Sequence, residues 1–110
     1  MSRLVRTHAA FLQLLYATNA KQRKVLLQTI SNEQLKALCE VIWNVYKGTV
    51  PVSDRYVKKL TPYKTIIRSL ISRRVGRKRK KIILVQRHSM IPWLLKPVLD
   101  MLNREHLEST

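Results

Sequence analysis

The chain has 110 residues, 45% of them hydrophobic, which describes one small globular domain with a thin core and excludes both a disordered chain and a comfortable pair of domains. Twenty-two Lys and Arg stand against six Asp and Glu, a formal net charge of +16, and self-repulsion of that size opposes compaction unless a polyanion supplies counter-charge. The partner indicated is DNA, RNA or an acidic membrane; one cysteine excludes an internal disulfide framework, and no stretch approaches the apolar length of a membrane span.

Arg3 and Arg6 precede an apolar run, but His8, Gln13, Asn19 and Lys21 interrupt it and no small-residue cleavage site follows, which argues against a signal peptide. Leu4, His8, Phe11, Leu12 and Leu15 recur at helical spacing and predict a first helix that stops near Thr18-Asn19. Asn19 can cap a short second helix carrying Val25, Leu26 and Leu27 inward, with Lys21, Arg23 and Lys24 exposed. Ser31 and Gln34 have the spacing of a capping box. Behind them Leu35, Leu38, Cys39, Ile42, Val45 and Tyr46 form one apolar stripe, ended by Gly48, and Cys39 reads as a buried, inert thiol.

Thr49-Val50-Pro51-Val52 predicts an extended connection, and Ser53 can cap a brief helix through Tyr56, Val57 and Leu60. Thr61-Pro62 reads as N-cap and first helical position of a helix whose inner face is Tyr63, Ile66, Ile67, Leu70 and Ile71. The β-branched Ile82 and Ile83 would suit a strand, but a lone strand has nothing to pair with, so a helix is expected over residues 77–85. Ser89 is the expected cap of a last helix carrying Ile91, Leu94, Leu95, Val98, Leu99 and Leu102, tolerant of Pro92 in its first turn and kinked by Pro97.

Charge is distributed very unevenly. Residues 1–54 hold seven bases and three acids, residues 55–99 hold fourteen bases and no acid, and residues 100–110 hold one base and three acids. Forty-five consecutive residues without a carboxylate cannot form a ladder of surface ion pairs. Phosphate neutralisation accounts for them, because each Lys or Arg placed on a backbone phosphate releases condensed counterions. Arg73, Arg74, Arg77, Lys78, Arg79, Lys80 and Lys81 are the first candidates, and Lys58, Lys59, Lys64 and Arg68 extend the patch onto the preceding helices. The string from Arg77 to Lys81 also has the composition of a nuclear-localisation signal. Stacking on unpaired bases is an alternative use of aromatic residues. Tyr56 and Tyr63 occupy apolar-face positions and read as core, Trp43 lies at the edge of its stripe, and Trp93 is the expected exposed aromatic.

Chemistry is sparse. His8, His88 and His106 are far apart and none stands at ligand spacing from a Cys or carboxylate, so neither a metal nor a cofactor is expected. No glycine-rich phosphate loop, paired carboxylates or nucleophile–base signature is present, and a non-enzyme is expected.

The basic run followed by residues 84–99, Leu-Val-Gln-Arg-His-Ser-Met-Ile-Pro-Trp-Leu-Leu-Lys-Pro-Val-Leu, resembles the late part of adenovirus core protein X, the mu precursor. The whole chain resembles more closely the short basic proteins of adintoviruses and the related Maverick/Polinton elements, through Lys36-Ala37-Leu38-Cys39-Glu40, residues 44–51, residues 77–81 and Leu84-Val85-Gln86. The resemblance implies a virion core protein that condenses packaged double-stranded DNA, found in the virion and the host nucleus.

The expectation is therefore an all-α domain of five or six short helices over residues 1–104, with a frayed polar tail over 105–110, binding double-stranded DNA through phosphates without reading sequence. Two other functions compete with it. One is a sequence-specific helix-turn-helix regulator using residues 62–85, and the other a structural protein whose charge meets acidic capsid surfaces. The apolar face of residues 90–102 reads first as core; self-association, docking to capsid proteins, or a membrane-active role are its alternatives, and a membrane partner is the least expected of these.

Overall fold

The computed structural model describes the backbone of residues 1–109 and the side chains of residues 1–105. The first apolar stretch forms two helices, α1 (Arg3–Thr7) and α2 (Ala9–Ala17), where periodicity alone predicts one. The chain bends at His8 (φ −103°, ψ 17°). The cause is tertiary: α1 packs on the long helix of the middle of the chain and α2 on the C-terminal helix, and one straight helix cannot reach both.

Three caps follow from local chemistry. Asn19 Oδ1 accepts the Gln22 N–H at 2.8 Å and starts α3 (Ala20–Gln28). Ser31 Oγ accepts from Gln34 N–H while Gln34 Oε1 accepts from Ser31 N–H, a complete capping box that starts α4 (Asn32–Tyr46). Ser53 Oγ accepts from Tyr56 N–H and starts α5 (Asp54–Leu60). The far end of α4 closes as a Schellman motif: Gly48 takes φ +77°, its N–H donates to the Val45 carbonyl, and Thr49 N–H donates to Asn44.

Thr61 is not an N-cap. It stays helical (φ −51°, ψ −45°) directly after α5, and its hydroxyl donates back to the Val57 carbonyl. Pro62 has no N–H to give the Lys58 carbonyl, so Thr61 N–H takes that acceptor and the chain tightens into a 3-10 turn, Thr61–Tyr63, before α6 (Lys64–Ile71). Residues 77–85 are helical as expected, within α7 (Arg77–Gln86). Ser89 lies inside a 3-10 turn, His88–Met90, that runs straight into α8 (Ile91–Ser109), so it does not cap that helix. The helix continues through the expected polar tail as far as Ser109, and Glu105 accepts an ion pair from Arg6 at 2.9 Å; Thr110 lies outside the described residues. The described residues thus hold eight α-helical segments and two 3-10 turns with no strand, more pieces than five or six, because each helical stretch legible in the sequence forms its own helix and His8 divides the first of them.

Helix α4 is the pole of the core. Leu38, Val41 and Ile42 are fully buried, and α1, α6, α7 and α8 all pack against it. Each buried Leu or Ile contributes about 1.5–3 kcal/mol relative to exposure. The second inward stripe belongs to α8: Ile91, Leu94, Leu95, Val98 and Leu99 are buried against α2 and α4. That face is occupied by the chain itself, so self-association, capsid docking or membrane insertion cannot use it in this fold. No described helix is long and apolar enough to cross a membrane.

Two polar devices complete the packing. Arg23, expected on the surface, is only 8% exposed; its Nε donates to the Leu15 carbonyl and an Nη to Thr18. The guanidinium thereby satisfies acceptors at the C-terminal, negative end of α2, which is why a charge is tolerated there. The other device concerns Pro97 within α8. Its missing N–H leaves the Trp93 carbonyl without its helical donor, and the Tyr56 hydroxyl donates to that oxygen at 2.8 Å. Burial pushes the Tyr56 phenol well above its ordinary range, which favours the protonated form that donates this bond. Tyr56→Phe is expected to cost about 1–3 kcal/mol by orphaning the carbonyl; a denaturant midpoint equal to the parent's would show that water replaces the bond.

Candidate nucleic-acid interface

Helix α7 opens under electrostatic stress. Gly76 at its N-cap has no side chain to offer, the first turn contains no acid, and Arg77, Lys78 and Arg79 stand exposed at the positive end of the helix dipole. Arg73 and Arg74, also exposed, precede them on the turn of residues 72–76, which Ser72 Oγ shapes by accepting the Arg74 N–H. A helix N-terminus with free backbone N–H groups and five cationic side chains around it is a favourable place for an anion. The rest of α7 turns inward: Leu84 is buried, and α3, α4 and α6 pack on the helix.

Lys80 and Lys81 are half-buried and leave α7 on different sides. Lys81 lines a surface groove with Lys78, Ile82 and Gln28 of α3. Lys80 points the other way, into a hollow of about 480 Å³ that it shares with Arg73 and with Lys36, Cys39, Glu40 and Trp43 of α4. Lys stems can lie along such walls while their ammonium groups reach water.

A second group lies next to that hollow on the same helix. Lys47 Nζ stands 4.7 Å above the centre of the Trp43 ring, and Arg68 Nε donates to the Tyr46 hydroxyl at 3.1 Å. That donated bond, with the charges of Arg68, Lys64 and Lys47, outweighs desolvation and holds the Tyr46 phenol below its usual range. Lys64, Arg68, Lys47, Trp43, Lys36, Arg73 and Lys80 thus form one connected basic track along the outer side of α4 and onto α6 and α7.

Lys36 and Lys47 lie in the half of the chain that charge counting passes over. Their signal is nevertheless readable: Lys36, Glu40, Trp43 and Lys47 repeat at helical spacing beside the apolar stripe, a charged edge that sets a Trp between two lysines. The aromatic roles are exchanged relative to expectation. Trp93 is half-buried between Tyr56 and Tyr63, with ring centres 5.5 and 5.4 Å away, whereas Trp43 remains 43% exposed.

Lys58 and Lys59 are exposed on α5. Lys59 Nζ lies 5.6 Å from the Trp93 ring centre and lines a separate groove with Lys96, Asp100 and Arg104. Among the described residues, none of the eleven candidate bases makes an ion pair; Glu105, Glu33 and Asp100 pair instead with Arg6, Lys36 and Lys96. Cys39 is half-buried rather than fully buried, and burial pushes its thiol up against the opposing pull of Lys80, which disfavours the thiolate. No group of three metal-ligating side chains occurs among the described residues, and the side chain of His106 lies outside them. Comparison with known protein families, with curated proteins and with solved structures finds no match for this chain.

Proposed function

We propose that the protein binds double-stranded DNA through its backbone phosphates, without reading sequence, and condenses it. One observation carries the proposal: the candidate bases are held at the surface with no ion-pair partner among the described residues, three of them at the positive end of α7. A fold that assembles such charge is relieved by a polyanion. Lys59 lines a different groove from the hollow of Lys36, Arg73 and Lys80, and cations presented at more than one place suit a protein that bridges neighbouring duplexes. The resemblance to adintovirus and adenovirus core proteins supports a place for this activity in a virion and the host nucleus. No catalytic step is proposed.

The packing of α6 on α7 across the turn of residues 72–76 favours a second reading, a helix-turn-helix reader of specific sequence. Arg can fork onto guanine as well as onto phosphate, so footprinting separates the two. Binding through phosphates gives affinities for unrelated duplexes within about tenfold of one another and even protection along the DNA. Protection of one short sequence at near-physiological salt would establish the regulator instead.

A further inference from the structure

We propose that the hollow beside Trp43 takes an unpaired base of single-stranded DNA, stacked on the indole, while the surrounding cations hold its phosphates. This rests on the reading of the same face as a phosphate-binding surface and adds a ligand that duplex binding does not require.

The composition of the hollow argues for a base. Its volume of about 480 Å³ lies within the roughly 300–1,000 Å³ of small-ligand sites. Lys36, Arg73 and Lys80 supply positive charge around it, which attracts a nucleotide. Glu40 also lines the hollow, its carboxylate accepting from the Ser2 hydroxyl. A carboxylate there opposes insertion of a phosphate and leaves the interior to an uncharged group. Trp43 provides the π-face such a group needs, and every base can use it. Lys47 Nζ now stands 4.7 Å above that ring, so a stacking base takes the place of the ammonium, which moves aside to the nucleotide's phosphate. Paired bases inside a duplex cannot present a face to Trp43, so the hollow distinguishes single strands from duplex where the cations do not.

The test uses the full chain carrying Trp93→Phe, which leaves Trp43 as the sole tryptophan. A short oligothymidylate is expected to quench its fluorescence, and a blunt duplex of equal length to leave it nearly unchanged. In the parent chain, Trp43→Leu should weaken oligothymidylate binding roughly 5- to 100-fold, the effect of removing the platform for one stacked base, and should weaken duplex binding far less. Trp43→Phe, which keeps a ring, should retain most of the single-strand affinity. Duplex binding that persists while oligothymidylate leaves the fluorescence unchanged, or while Trp43→Leu binds oligothymidylate as the parent does, overturns the stacking site alone. Failure of both DNAs to bind overturns the phosphate reading beneath it.

Discussion

Changing Arg77, Lys78, Arg79, Lys80 and Lys81 together to Gln is expected to flatten the log–log dependence of duplex affinity on salt by about 2 to 4, at about 0.9 for each phosphate left without its cation. The range is smaller than five neutralised phosphates would give because the five side chains do not share a direction. Arg77, Lys78 and Arg79 are exposed at the start of α7, whereas Lys80 turns toward α4 and Lys81 toward α3. The fold is expected to survive, since the buried residue of α7 is Leu84. Thermal stability should hold or rise, because three cations leave the positive end of a helix dipole. A folded variant with the parent's affinity and slope would move the phosphate-binding role to Lys58, Lys59, Lys64 and Arg68, and leave the cluster a targeting role only.

Leu38→Ala and Ile42→Ala should each destabilise the protein by about 2–5 kcal/mol. Both side chains are wholly inaccessible on α4, the helix against which α1, α6, α7 and α8 pack, so little can collapse into the space left. Against the roughly 5–15 kcal/mol of a domain this size, either change removes a large share of the stability. The denaturant midpoint should fall with the m-value unchanged. Unaltered midpoints in both variants would contradict the placement of α4 at the centre.

What could be read from the sequence was decided within a few residues along the chain. Asn19, Ser31 and Ser53 cap helices because each side chain meets an N–H three residues on, and Gly48 ends α4 because it takes φ +77°. The stripe of α4 is legible for the same reason. What could not be read depends on neighbours brought together by folding. His8 bends the chain because α1 and α2 have different partners, and Arg23 is buried because α2 ends beside it. Thr61 and Ser89 have the chemistry of caps but sit where the backbone is already helical. Trp93 is half-buried because Tyr56, bonded to the carbonyl freed by Pro97, and Tyr63 flank its ring, whereas Trp43 stays exposed on α4. The basic run at residues 73–81 is visible in the sequence, while its company of Lys36, Trp43 and Lys47 is created by the packing of α7 and α6 on α4.

The central claim is tested most directly by titrating the unmodified protein with several unrelated duplexes between about 50 and 200 mM salt, the interval over which roughly 6–10 phosphate contacts lower affinity about 10³–10⁵-fold. The account predicts a log–log slope of about −3 or steeper, common to all the duplexes, with affinities at any one salt concentration within about tenfold of each other. Absence of binding at the lowest salt, or binding that hardly changes across the range, would contradict it.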